Sequence, residues 1–116
     1  LVISDVAHNQ AGVEWLLRQL QAIPHERMIF VWGMVGDKDV TKVLKLLPQD
    51  ATYYFVKPDI PRGMDAFQLR EKAAAFNLNG EVYPSVNLGV QAAIHDARPN
   101  DLIFVGGSTF VVAEAI

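Results

Sequence analysis

Short apolar runs rich in β-branched and aromatic residues alternate along this chain with segments whose apolar residues recur every three or four positions. Leu1 to Asp5, Met28 to Trp32, Ala51 to Val56, Glu81 to Tyr83 and Leu102 to Val105 read as strands. Between the first two, Val13, Leu16, Leu17 and Leu20 follow the i, i+3, i+4, i+7 spacing of one helix face, and Pro24 closes the segment. Val40, Val43, Leu44 and Leu47 repeat the pattern behind Asp39, a residue suited to the N-cap, and stop at Pro48. Leu69, Ala73 and Phe76 mark a third helix, with Asn79-Gly80 at its exit. Val86, Val90, Ala93, Ile94 and Ala97 mark a fourth behind Ser85, and a last helix starts near Ser108. Strands that alternate with helices in this way form parallel βαβ units with right-handed crossovers. Strands this continuously apolar need cover on both faces. The expectation is an α/β, Rossmann-like fold, with a mostly parallel sheet of five to six strands and helices on both faces.

Length and charge narrow the possibilities further. A chain of 116 residues suits one domain. Its ten Lys and Arg are scattered and the formal net charge is -3, so no nucleic-acid track is expected. Cysteine is absent, which excludes disulfides and thiolate metal sites. No apolar stretch approaches the ~18 residues of a membrane span, and no signal peptide is recognisable; a cytoplasmic place of action is expected. The opening in mid-strand, without an initiator Met, suggests a fragment of a longer protein.

Three strand ends carry polar residues, and ligands of open α/β sheets bind beyond the carboxyl ends of the strands. Asp5, His8 and Asn9 occupy one strand-to-helix turn, next to a helix N-terminus whose N–H groups favour negative charge. The plainer alternative is that Asp5 or Asn9 caps the helix and His8 is a surface residue. The triplet does not have the makings of a metal site. Gly33-Met-Val-Gly36-Asp37-Lys38-Asp39 combines two glycines with a cation that can hold a carboxylate or phosphate. A tight turn into a capped helix explains the same residues. No Walker A pattern occurs in the chain.

Gly106-Gly107-Ser108-Thr109 resembles a small anion nest, and the lack of a G-x-S-x-G elbow argues against a nucleophilic Ser108. Arg62, between Pro61 and Gly63, sits in a stiff loop from which a guanidinium fork could clamp a phosphate or carboxylate; a solvated loop arginine is the alternative. His25 and His95 receive no role, and Trp15 and Trp32 are expected in the core.

Taken in order, these motifs resemble one family. Asp5-Val-Ala-His8-Asn9 is similar to the D-x-A-H-N segment opening the C-terminal domain of folylpolyglutamate synthase/dihydrofolate synthase, in the Mur ligase superfamily. Gly33 to Asp39 resembles its G-x-x-x-D-K-D loop, Pro61-Arg62 its P-R loop and Gly106-Gly107-Ser108 its terminal G-S turn. Gln10 departs from the family's usual Pro, and Val6 stands where peptidoglycan Mur ligases more often carry Tyr.

The resemblance implies the C-terminal, glutamate-binding domain, over residues 1–116, of an ATP-dependent carbon–nitrogen ligase. ATP would phosphorylate the carboxylate of dihydropteroate or a reduced folate, and L-glutamate would attack the acyl phosphate to form an amide. By the same resemblance Asp5, His8, Lys38 and Ser108 bind glutamate, and Asn9 and Arg62 lie on the nucleotide. None of them is catalytic and none binds metal. ATP and Mg²⁺ would be held mainly by a missing N-terminal ATPase domain, leaving the 116 residues inactive alone. The other readings are a peptidoglycan Mur ligase C-terminal domain, and a non-catalytic nucleotide- or anion-binding module.

Overall fold

A computed structural model describes residues 2–4, 10–36 and 40–115. In chain order the elements are β1 (Val2–Ser4), α1 (Gln10–Gln21), β2 (Met28–Trp32), α2 (Val40–Leu44), β3 (Thr52–Phe55), α3 (Ala66–Ala74), β4 (Gly80–Val82), α4 (Val86–Asp96), β5 (Leu102–Gly106) and α5 (Thr109–Ala115). The described strands form one five-stranded sheet in the order β1-β5-β2-β3-β4, and every pairing is parallel. Ser4, Val105, Val31, Tyr54 and Glu81 lie in one row across it. All five carboxyl ends therefore share an edge, as the alternating pattern requires.

The central strands β2 and β5 are buried along their whole length, which is why they read as unbroken apolar runs. On one face Phe30, Trp32, Tyr53, Phe55 and Phe104 meet Val13, Leu16 and Leu20 of α1, Val43 and Leu44 of α2 and Leu69 of α3. Phe30 stacks on Tyr53 at 5.1 Å and Tyr53 on Phe55 at 5.7 Å between ring centroids. On the other face Ile29, Val31, Val56, Ile103 and Val105 meet Val86 and Ala93 of α4 and Val111 of α5. Each such side chain contributes about 1.5–3 kcal/mol on full burial. Asp65 caps α3, its carboxylate accepting from the Gln68 N–H at 3.0 Å, and Ser85 caps α4 as expected.

Several expectations need correction. Trp15 is 56% exposed, because it falls outside the Val13, Leu16, Leu20 stripe that faces the sheet; Trp32 is buried as expected. The inner face of α4 is Val86, Gly89 and Ala93, with Ile94 exposed. A Cβ on Gly89 would lie 2.3 Å from the Val56 side chain, so the helix packs on the sheet through a residue that carries no hydropathy signal. Gly80 opens β4 and does not merely mark the exit of α3: a Cβ there would lie 2.0 Å from the Tyr53 carbonyl oxygen. The α-helical part of α2 is only Val40–Leu44, before the chain turns toward Pro48.

The amino edge of the sheet is fastened by an ion pair between half-buried Arg27 and buried Asp101. Asp101 at the entry to β5 accepts through Oδ2 from Arg27 Nε at 3.1 Å, Arg27 Nη2 at 2.9 Å and the Arg98 N–H at 2.9 Å. The Arg98 backbone N–H, followed by the Arg27 guanidinium, holds this carboxyl below its ordinary value against the cost of burial. Arg27 also reaches the Asp96 carbonyl. This cluster lies at the edge opposite the polar loops and ties β2, β5 and α4 together.

Candidate ligand crevice at the carboxyl edge

The chain leaves β1, β2 and β3 toward the face that α1, α2 and α3 cover, but leaves β5 toward the face of α4 and α5. Neighbouring strands β5 and β2 thus send their loops apart. A crevice at the sheet edge follows from that divergence, and ligands of doubly wound folds occupy such switch points.

Its inner wall is built by close backbone approach. The Gly33 N–H donates to the Gly106 carbonyl at 3.2 Å. Gly107 has φ +103°, in the left-handed region that favours glycine, and a Cβ on it would sit 2.2 Å from the Gly33 carbonyl oxygen. Ser108 follows, buried, and its Oγ accepts from the Val111 N–H at 3.2 Å. The serine therefore caps α5 through its oxygen lone pair, and its O–H is the donor that it can offer a ligand. Beneath the turn lies the Trp32 indole, whose Cε2 is 3.1 Å from the position of a Gly107 Cβ. Trp32 Nε1 is buried and has no hydrogen-bond partner among the described residues.

The outer wall is a clip between the exits of β2 and β3. The Met64 N–H donates to Met34 O at 2.8 Å and the Gly36 N–H to Arg62 O at 2.9 Å, flanking an antiparallel bridge between Val35 and Gly63. Inside the β3 loop the Gly63 N–H donates to Ile60 O at 3.0 Å. The stiffness expected around Arg62 is thus present, and the arginine is exposed on it.

Of the residues singled out in the sequence, the structure joins Ser108 to the Gly33–Gly36 segment and, through Gly36, to Arg62. Asp5, His8, Asn9 and Lys38 lie outside the described residues. The first three connect β1 to α1, and Lys38 connects Gly36 to α2. His25 Nδ1–H donates to the Ile23 carbonyl at 2.7 Å, and His95 is exposed on α4, so neither enters the crevice. Among the described residues no group of three or more His, Asp or Glu could hold a metal ion, and no helix is long and apolar enough to cross a membrane.

Sequence reasoning missed one component. Val35, Ile60, Pro61, Arg62 and Phe110 line an apolar cleft of about 290 Å³ between the clip and the first turn of α5. Phe110 is 47% exposed there. These residues come from two loops and the first turn of α5, with no common period, so only their juxtaposition in space reveals the cleft.

An all-parallel, doubly wound sheet with a glycine-built crevice at its switch point defines a ligand-binding α/β domain. The chain belongs to the family described as Mur ligase, glutamate ligase domain, which matches residues 1–109. It is 36% identical over 117 aligned residues to the dihydrofolate synthase/folylpolyglutamate synthase of Escherichia coli K12, covering 99% of this chain and 27% of that protein. The structure of E. coli FolC in complex with DHPP and ADP superposes with a TM-score of 0.88 at 36% identity, over 97% of this chain and 27% of that one. A bifunctional folylpolyglutamate synthase/dihydrofolate synthase with Mn, AMPPNP and L-glutamate bound superposes with a TM-score of 0.83 at 31% identity, over 99% of this chain and 28% of that one. The chain thus spans about a quarter of the length of the relatives it matches. The Rossmann-like fold and the family expected from the motifs both hold.

Proposed function

We propose that these residues are the C-terminal, glutamate-presenting domain of a longer ATP-dependent folylpolyglutamate synthase/dihydrofolate synthase. The observation that carries the reading is the switch point: it brings the Ser108 turn against the Gly33–Gly36 segment that leads to Lys38, in a member of the glutamate ligase domain family. L-glutamate bears two carboxylates and an ammonium group. Lys38 and the Ser108 O–H supply a charge and a donor for the carboxylates, while Asp5 and His8 serve the amino group. The resemblance gives Asn9 to the nucleotide. The resemblance gives Arg62, exposed in the turn after β3, to the nucleotide as well.

In this reading the rest of the parent chain holds ATP, Mg²⁺ and most of the dihydropteroate or folate. The glutamate amine attacks the acyl phosphate formed there, an amide bond forms, and phosphate leaves with the electron pair of the broken C–O bond. This domain contributes orientation, which turns a bimolecular attack into a positioned one. It supplies no nucleophile and no acid or base.

The test uses the full-length parent enzyme. Ser108→Ala and His8→Ala raise KM for glutamate far more than KM for the folate or pteroate substrate. Equal effects on both substrates would remove the glutamate assignment. Turnover with a nucleotide-linked muramoyl substrate, and none with dihydropteroate, would establish a peptidoglycan ligase instead.

A further inference from the structure

Core packing accounts for the ring of Trp32 but not for its indole N–H. We propose that this N–H is a further substrate-positioning donor, which takes a carboxylate oxygen of L-glutamate seated at the Gly106–Ser108 turn. The inference rests on the ligase reading above and adds a residue to the glutamate seat.

The orphaned donor is the first observation. Trp32 is 1% exposed, and its Nε1 is buried with no hydrogen-bond partner among the described residues. Rings surround it: Phe30 meets it edge-on at 6.1 Å and Phe104 lies tilted at 6.3 Å between centroids. A buried Trp ordinarily brings its N–H to an acceptor, and few buried polar groups of native proteins lack one. Phe would fill a core here without leaving a donor unpaired. At the edge where ligands bind, the missing acceptor is one that a ligand can bring.

Location is the second. Trp32 lies level with Gly106 in the sheet, where β2 and β5 send their loops apart. Gly106 has no side chain, and the indole leans across β5. Its Cε2, the carbon bonded to Nε1, is 3.1 Å from where a Gly107 Cβ would stand. The turn that covers the indole on this side is therefore the backbone of two glycines, which a small shift can move aside.

A neighbouring donor is the third. Ser108 is buried in the same turn, its Oγ accepts from the Val111 N–H at 3.2 Å, and no acceptor for its O–H lies among the described residues. Two buried donors without acceptors thus flank Gly107. A carboxylate has two oxygens that only accept, so one such group can serve both. A phosphate has the same acceptor character, and a nucleotide is therefore the second arm of the test. Because Nε1 is unpaired beforehand, the new bond breaks no other and favours the bound state alone.

The experiment follows the indole proton in full-length parent enzyme that carries isotope-labelled tryptophan. Its signal is identified by loss in Trp32→Phe, and spectra are taken with Mg-AMPPNP alone and then with L-glutamate added. Glutamate is expected to move the proton downfield, as a charge-assisted hydrogen bond does. A shift complete with the nucleotide, or none with either ligand, overturns the proposal. In turnover Trp32→Phe is expected to raise KM for glutamate about tenfold, the scale of one lost hydrogen bond to a charged group. KM for ATP and for dihydropteroate stay within about twofold. An unchanged KM for glutamate, or an equal rise in all three, overturns the proposal. If Trp32→Phe lowers the melting temperature, benzothienylalanine at this position, which keeps the shape and lacks the donor, replaces it in both assays. If the wild-type parent forms no glutamate-dependent product from dihydropteroate, the ligase reading has failed. The indole signal then decides the donor separately: a downfield shift with L-glutamate upholds it, and no shift overturns it.

Discussion

Gly107→Ala tests how the crevice is built. The residue sits at φ +103°, and its Cβ would lie 2.2 Å from the Gly33 carbonyl oxygen and 3.1 Å from the Trp32 ring. A left-handed backbone costs an L-residue about 1–2 kcal/mol. Forcing a methyl group into a packed site adds about 1–3 kcal/mol, and here the nearest obstacle is backbone, which cannot rotate away. The expected loss is about 2–5 kcal/mol. For a domain of this size that lowers Tm by about 10 °C or more. Gly36→Ala is the matched control: among the described residues its Cβ would meet only Arg62 O, at the ordinary contact distance of 3.7 Å. That substitution is expected within about 0.5 kcal/mol of the parent. Urea unfolding of the 116-residue chain reads both, with the slope of the transition unchanged if only native stability has moved. If Gly107→Ala unfolds within about 1 kcal/mol of the parent, or no differently from Gly36→Ala, the close approach of the β2 and β5 exits is not what holds the turn.

Two further outcomes follow from the packing. Leu16→Ala should cost about 2–5 kcal/mol by opening a cavity under α1, whereas Trp15→Gln, one residue away and exposed, should stay within about 0.5 kcal/mol of the parent in the same unfolding assay. Asp101 is held below its ordinary pKa of 3.8, so the stability it contributes is present above that value and is lost as pH falls through the lower folded value. Unfolding free energy measured against pH should therefore drop below about pH 4, and Asp101→Asn should be less stable at neutral pH and lack that part of the drop.

What the sequence disclosed depended on where the physics left a local trace. Strands β2 and β5 are apolar because both faces are covered, with glycine just after β2 and at the end of β5, so their limits could be read to within a residue. The stripe of α1 was legible for the same reason. Close packing through glycine was not: Gly89 on α4 and Gly80 in β4 are placed by the Val56 side chain and the Tyr53 backbone, neighbours that hydropathy does not reveal. Trp15 misled because a large apolar side chain suggests burial, while the helical register turns it outward. The family was legible through motifs spread along the chain, and the family match over residues 1–109 bears that resemblance out. The Phe110 cleft depended on the strand order, which joins loops separated by some fifty residues of sequence.

The central claim concerns what the crevice holds, and glutamate-dependent ADP release tests it most directly. Full-length parent enzyme, supplied with Mg-ATP and dihydropteroate, should release ADP and form the glutamyl amide only when L-glutamate is added, and the 116-residue chain alone should release none. ADP release indifferent to glutamate in the parent enzyme, or ATP turnover by the isolated chain, would contradict the account.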